Sequence, residues 1–394
     1  MGNYFEAINR LPAQLHSWAQ TRWARWTGDK EAVAEATYWS LKDLQGSLAA
    51  STQPTSTAIQ QAFDDAALTA RDPRFIGRET ALETLVLALS EWREGRACMV
   101  SIQGPQGVGI SSLLAQVTTL IHDHEVLISE RFCQRLRNTT DVLDLFARTL
   151  GLSETPASVP ELIEILQQTE PRIILLDDAH LLAFRVMGTR TAVRTFGSIL
   201  VASQPRHLWI LGFRRHAWRR LNYLYQAERY FTHTIELDYF SADELKAVIS
   251  QRFEHARIEI DWSDQHWSRL HQYSRGKPDL AFHYSRLLAS ENPAEDDRPE
   301  VLRPIDLSFL KSLDMEDLFS LAELAVHGSL HCAEHQQIFH ETPDGSLMRL
   351  EHLCNRGLVE RFIPICGETT PRYRITPILS GQIAEHLYKV NYLY

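Results

Sequence analysis

The chain has 394 residues, 44% hydrophobic and 23% charged, which is enough for about two to three domains with buried cores. Its net charge of −10 argues against wrapping nucleic acid through bulk charge, although a local basic patch stays open. The five cysteines are scattered without a CxxC pair, which predicts reduced thiols in a cytoplasmic protein. No secretory leader and no apolar run of about 18 residues occur, so we expect no membrane insertion.

The first segment, residues 1–71, is predicted to be a helical region that binds partners. Strong helix formers dominate it, and β-branched runs are few. Tryptophans are frequent in it, and two interpretations stay open: inward packing in a helical hairpin, or an interface hot spot. These tryptophans are Trp18, Trp23, Trp26 and Trp39.

Residues 72–240 are predicted to form an α/β domain. Short apolar runs alternate there with amphipathic segments, which is typical of a parallel sheet covered by helices. The predicted strands are Cys98–Ile102, Arg172–Leu176, His207–Leu211 and Thr234–Leu237.

Two smaller units follow. Residues 241–300 are predicted to form a helical lid and a linker, and Ser241 with Glu244 gives a capping box at the first lid helix. Residues 301–394 contain short helices followed by two strand-like runs at 357–362 and 372–375, the order of a winged-helix domain.

A glycine-rich turn follows the first predicted strand. Residues 104–112 (GPQGVGISS) have the spacing of a P-loop, in which backbone N–H groups surround a polyphosphate. Its candidate binding residues are Gly104, Gly107, Val108, Gly109, Ile110, Ser111 and Ser112. Ile110 stands where a P-loop has lysine, so nucleotide binding is expected to weaken by roughly 10- to 150-fold and hydrolysis to suffer more. The alternative is a glycine-rich turn without a ligand.

Two acids end the strand predicted at residues 172–176. The run IILLDD matches a Walker B pattern about 70 residues after the P-loop turn. Asp177 is the candidate Mg²⁺ residue together with Ser111, and Asp178 is the candidate catalytic carboxylate that polarises water.

Residues 75–79 (FIGRE) resemble the F-[VI]-G-R-E box that precedes the P-loop in AAA+ ATPases of the origin-recognition group and in the related STAND ATPases. The resemblance covers roughly residues 72–394. It implies a P-loop fold and places Phe75, Ile76, Gly77 and Arg78 near the adenine.

Two later elements extend this resemblance. Gly212-Phe213-Arg214 is similar to sensor 1 and its following arginine, which implies that Arg214 contacts the terminal phosphate and partly replaces the missing lysine. Gly276-Lys277-Pro278 is similar to a lid turn in which Pro278 touches the base. Asp279 stands where the initiator proteins have the sensor 2 arginine, so a second catalytic cation is missing.

The basic cluster Arg214–Arg220 has three open interpretations: an arginine finger toward a neighbouring subunit, a phosphate contact to DNA, or a solvated loop. The winged helix offers a second route to DNA through a recognition helix at Ser346–Arg356, although nearby acids oppose it.

The sequence favours a nucleotide-binding regulatory or scaffold protein of the AAA+/STAND kind. It is expected to bind ATP or ADP with Mg²⁺, to hydrolyse ATP weakly or not at all, and to organise partner proteins as a homo- or hetero-oligomer. The alternatives are a DNA-associated adaptor or loader in replication, transposition or defence, and a fully degenerate interaction scaffold.

Overall fold

The computed structural model describes residue 40 and residues 57–64, 66–182, 184–289, 302–364 and 370–393. Most of the predicted partner-binding region, with its four tryptophans, lies outside these residues. So does most of the linker expected near residues 291–300.

The described chain alternates helices and strands in its first two thirds, and short 3₁₀ turns connect some of them. The helices are α1 (Thr57–Ala62), α2 (Glu79–Arg93), α3 (Ile110–Gln116), α4 (Thr139–Leu150), α5 (Val159–Gln168), α6 (Thr189–Ser203), α7 (Arg215–Tyr225), α8 (Ala242–His255), α9 (Asp264–Ser274), α10 (Pro278–Ala289), α11 (Met315–His327), α12 (Cys332–Phe339), α13 (Pro343–Asn355) and α14 (Ser380–Lys389). The strands are β1 (Met99–Gly104), β2 (Val126–Arg131), β3 (Arg172–Asp177), β4 (Leu208–Arg214), β5 (His233–Glu236), β6 (Leu330–His331), β7 (Val359–Phe362) and β8 (Arg372–Ile375).

A parallel five-stranded sheet in the order β2-β3-β4-β1-β5 forms the centre of the molecule. Strand β1 is buried along its whole length, as expected where helices cover both faces. The α/β prediction and the four predicted strands are therefore confirmed, with ends that shift by at most three residues. Strand β2 escaped prediction, because it is a half-exposed edge strand whose apolar run of three residues is followed by three polar residues.

Each face of this sheet has its own core. On one face α2 and α3 bury Leu85 and Leu113 against β1 and β3. On the other face α4, α5, α6 and α7 enclose an aromatic cluster in which Phe146 packs on Phe196 and Trp209. The two cores hold the carboxyl ends of the strands in fixed positions at one edge.

Helices α8, α9 and α10 lie in the segment predicted to be the lid, and the name lid for them stays a prediction. The capping box of Ser241 and Glu244 begins α8, as predicted. The short helix α1 belongs to the same core, because Phe63 is fully buried with its ring 4.7 Å from that of Phe253. Arg252 Nη1 also donates a hydrogen bond to the carbonyl oxygen of Ala62 at 2.5 Å. The chain from residue 57 onward is thus packed into the lid.

The C-terminal unit contains α11, α12 and α13 followed by the antiparallel hairpin β7–β8, whose register pairs Val359 with Ile375. Strand β6 adds to the other edge of β8. This order of helices and strands is the expected one, and the name winged helix for the unit stays a prediction. The unit docks on the sheet domain through a buried ion network, in which Glu334 lies between Arg135 and Arg372.

No helix in the described ranges is long and apolar enough to cross a membrane. The cysteine prediction needs a correction. Cys98, Cys332 and Cys354 are free thiols, whereas Cys133 is disulfide-bonded, so the expectation of reduced thiols throughout is wrong at Cys133.

Candidate functional site

The carboxyl ends of β1, β3 and β4 meet at one edge of the sheet, where ligands bind in open α/β folds. The glycine-rich turn follows β1 there. Gly107 has a φ of +80°, and a Cβ atom at this position would lie 2.5 Å from a carboxylate oxygen of Asp279. The turn therefore requires glycine both for its backbone conformation and for the close approach of the lid.

Ile110 occupies the position expected for the P-loop lysine. Its side chain packs against β4, where a Cβ added to Gly212 would lie 2.9 Å from Ile110 Cγ2. The same Cβ would lie 3.1 Å from Asp177 Oδ1, so turn, acid and β4 are in contact. The place of the lysine is taken by an aliphatic group packed toward the core.

The two acids that follow the apolar run of β3 lie beside the turn. The hydroxyl of Ser111 donates a hydrogen bond of 2.6 Å to Asp177 Oδ2, so the structure brings these two predicted residues together. Asp178 has a φ of +55°. Burial raises its pKa, the neighbouring Asp177 raises it further, and the charges of Arg214 and Arg131 oppose the shift.

Arg131 is the largest omission from the sequence analysis. It ends β2, and the parallel register places it opposite Asp177. Its Nη2 lies 3.0 Å from Asp177 Oδ2 and 3.3 Å from Ser111 Oγ, and its Nε lies 3.2 Å from Asp178 Oδ2. Burial disfavours the charged guanidinium, but Asp178 and Asp177 outweigh it and raise the pKa of Arg131. Recognition of β2 from sequence would have placed this cation in the site.

Arg214 ends β4 and is half-buried. Its Nη1 donates a hydrogen bond of 2.9 Å to Gln106 Oε1 in the P-loop turn. Desolvation lowers its pKa, and the attraction of Asp178 opposes that shift. Buried His180 lies close by, where burial and the charge of Arg214 keep the pKa of the imidazole well below its usual value. The end of β4 thus carries a cation directed at the turn, and the predicted contact of Arg214 with a phosphate stays a prediction.

The residues predicted to lie near the adenine line the same cavity, except Gly77. Arg78 Nη2 donates to the carbonyl oxygen of Val108 at 3.1 Å, and the guanidinium stacks 4.2 Å from the centre of the Phe240 ring. Phe75, Ile76 and Pro278 line the cavity. This part of the wall is apolar and aromatic, which suits a planar base.

A single cavity of about 780 Å³ connects these groups. All predicted site residues line it except Gly77 and Gly104, which shape the backbone behind it. The sequence analysis missed two further parts of its wall. One consists of residues 64 and 66–68, which follow α1, and the backbone N–H of Leu68 donates to Ser112 Oγ at 3.0 Å. The other comes from the C-terminal unit and includes Phe362, Arg372 and Arg374.

The predicted DNA-contacting groups are largely engaged within the chain. Arg215 Nη2 donates to the carbonyl oxygen of Leu237, and Arg220 pairs with Glu323 of α11. In α13, Arg349 pairs with Asp317 at 3.1 Å, and His352 and Arg356 also face this carboxylate. The basic cluster Arg214–Arg220 therefore helps to attach the C-terminal unit to the sheet domain, and the basic side chains of α13 help to hold that unit together.

The sheet order, the turn after β1 and the acids after β3 define a P-loop NTPase fold. Residues 74–210, about a third of the chain, match the family model described as AAA ATPase domain. The predicted resemblance to AAA+ ATPases is therefore confirmed for these residues. A search of curated protein sequences gave no significant match.

Several solved structures match most of the chain at low sequence identity. The Aeropyrum pernix ORC2 protein in ADPNP-ADP complexes matches 84% of this chain and 97% of its own, with 16% identity and a TM-score of 0.47. Cdc6p from Pyrobaculum aerophilum matches 84% and 98%, with 18% identity and a TM-score of 0.43. The Thermotoga maritima RuvB Holliday junction branch migration motor matches 82% and 98%, with 16% identity and a TM-score of 0.38. Similarity at this level says nothing about what this chain binds.

Proposed function

We propose that this protein is a nucleotide-binding regulator of the AAA+/STAND kind. It binds ATP or ADP, hydrolyses ATP slowly or not at all, and uses the bound nucleotide to set the position of its C-terminal unit. The single observation that carries the proposal is the composition of the cavity wall, which joins the P-loop turn, the two acids and a strand of the C-terminal unit. The cavity volume of about 780 Å³ lies within the range of about 300–1,000 Å³ that is typical of ligand pockets.

The cavity wall carries the two kinds of surface that a nucleotide requires. The backbone of residues 107–109, together with Arg131 and Arg214, provides N–H donors and positive charge for phosphates. Phe75 and Pro278 provide an apolar surface for a base. This polarity supports a nucleotide over a wholly apolar ligand.

Weak hydrolysis is proposed because two positions that carry a cation in related ATPases, one in the P-loop turn and one in the lid, have no cation here. Ile110 replaces the lysine that neutralises the β- and γ-phosphates, and Asp279 places a carboxylate against the turn at Gly107. Burial raises the pKa of Asp279, and Lys277 opposes this shift. Interactions that strengthen in the transition state contribute most to rate, so their loss reduces turnover more than binding.

Coupling to the C-terminal unit is proposed from its closeness to Arg214. A Cβ added to Gly328, which ends α11, would lie 2.8 Å from Arg214 Cζ. Phosphates that attract Arg214 would therefore disturb the turn after α11. Through this contact, nucleotide state would alter the surface offered to protein partners and to other copies in a homo- or hetero-oligomer.

Calorimetric titration with ADP and ATP tests the nucleotide half of this proposal, with phosphate release followed on the same sample. We expect binding with little turnover, and a loss of roughly 10- to 150-fold in affinity for Arg214→Met. Arg190→Met on the exposed face of α6 is the matched control and should bind as the native protein does. Undetectable binding of both nucleotides would reject the proposal and favour the degenerate scaffold.

Hydrogen exchange tests the coupling half. ADP should change protection in β8, which lines the cavity, and in α11, whose following residues Gly328 and Ser329 line it, and leave α4 unchanged on the other face of the sheet. Unchanged exchange in α11 and β8 with saturated nucleotide would reject coupling. Partner capture by the N-terminal region is tested by a deletion that ends before Thr57, since Phe63 belongs to the lid core.

The DNA-associated alternative has less support, because the arginines assigned to it bind acids within the chain. A cytoplasmic location is part of the proposal, consistent with a nucleotide-dependent regulator.

A further inference from the structure

The position of Arg131 in the site follows from backbone pairing. Strands β2 and β3 are parallel, and their register places Arg131 directly opposite Asp177. The guanidinium therefore reaches the carboxylate from the neighbouring strand without a long loop. Its side chain is 49% exposed, so it borders the cavity.

The guanidinium occupies the position at which a P-loop protein holds its metal. In such proteins Mg²⁺ is bound between the P-loop hydroxyl and the Walker B aspartate. Here Arg131 Nη2 lies between those same two groups, 3.3 Å from Ser111 Oγ and 3.0 Å from Asp177 Oδ2. The Ser111 hydroxyl itself donates a hydrogen bond to Asp177, with 2.6 Å between Oγ and Oδ2. The donor atoms have the types that Mg²⁺ prefers, but their arrangement around Arg131 does not fit the metal.

The two acids that follow the apolar run of β3 already have two cations beside them. Asp177 and Asp178 face Arg131 and Arg214, so two carboxylates meet two guanidiniums. Nη1 of Arg131 makes no hydrogen bond within the described part of the chain, and a guanidinium has five N–H donors. Arg131 can therefore keep its contacts with the acids and still donate to a phosphate oxygen.

We propose that Arg131 is a built-in cation that takes the place of Mg²⁺, so that the site binds nucleoside di- and triphosphates without a divalent metal. This inference rests on the proposed nucleotide function and specifies its ligand. Arginine suits the role because its planar fork contacts carboxylate and phosphate oxygens simultaneously and stays charged.

The test compares ADP and ATP binding by calorimetry in EDTA and in excess Mg²⁺. The native protein should bind each nucleotide with affinities that differ by less than about threefold between the two conditions. Mn²⁺ added with ADP should show no bound ion by electron paramagnetic resonance. Binding that requires Mg²⁺ would overturn the inference and leave the nucleotide function standing, whereas no binding in either condition would reject both.

Arg131→Ala assigns the effect to this residue. It should lose roughly 10- to 150-fold in affinity in EDTA and recover much of that loss in Mg²⁺, because Ser111 and Asp177 become available to the metal. It should also bind one Mn²⁺ together with ADP. Arg131→Gln retains an N–H donor without charge and should behave in the same way, and exposed Arg190→Ala should match the native protein. Unchanged affinity of the two Arg131 variants in EDTA would overturn the assignment.

Discussion

Glu334 should be the most sensitive residue of the contact between the sheet domain and the C-terminal unit. One carboxylate oxygen accepts a hydrogen bond from Arg135 Nε at 2.8 Å, and the other accepts one from Arg372 Nη2 at 2.8 Å. The three side chains are at most 6% exposed. Burial lowers the pKa of Arg135 to about 10, so the environment already disfavours this cation even with its partner present.

Glu334→Gln removes the negative charge and one of the two acceptor oxygens, because the amide NH₂ is a donor that faces a guanidinium. Glutamine can still accept the backbone hydrogen bond of His331 that completes the capping box of α12, so the helix start is retained. What is lost is the counter-charge of two buried guanidiniums. Removing one member of a buried ion pair costs about 3–5 kcal/mol, and the retained cap favours the lower end, about 3 kcal/mol.

Urea unfolding followed by circular dichroism measures this loss. The control is Glu94→Gln, which removes the same charge from an exposed pair with Arg96 and should cost about 0–1 kcal/mol. A loss below about 1 kcal/mol for Glu334→Gln would refute the reasoning, since it would mean that the two arginines are hydrated or find other partners. The docking network would then be a poor candidate for holding the C-terminal unit over the cavity.

Three further outcomes follow from particular contacts. Ser241→Ala should cost about 1 kcal/mol in urea unfolding by removing the cap of α8. Gly276→Ala should cost at least about 2 kcal/mol, because Gly276 has a φ of +72° and its Cβ would collide with the carbonyl oxygen of Phe240; a smaller loss would mean that the lid turn relaxes freely. Burial lowers the pKa of His327 and His335 to about 4 from 6.5, so stability present above pH 6.5 should be lost as pH falls toward 4, by about 3 kcal/mol for each imidazole. Urea midpoints that stay constant between pH 7 and 5 would contradict this sign.

The sequence alone determined the central strands and the turn between strand and helix. Strands β1, β3 and β4 are buried on both faces, so they are nearly continuous apolar runs that are visible without a structure. The spacing of the P-loop turn and the capping box at Ser241 are local patterns, because the interacting groups lie within a few residues of each other.

The tertiary structure decided which charges meet. Strand β2 was missed because an edge strand with one exposed face lacks a continuous apolar pattern, and Arg131 was lost with it. The pairing of Arg131 with Asp177 spans 46 residues and depends on sheet register, which local sequence does not encode. The same holds for Arg372, which reaches the cavity, and for Arg135, which reaches the buried Glu334, only because the C-terminal unit folds back onto the sheet domain. Long-range packing therefore determined the electrostatics of the site, while local pattern determined its scaffold.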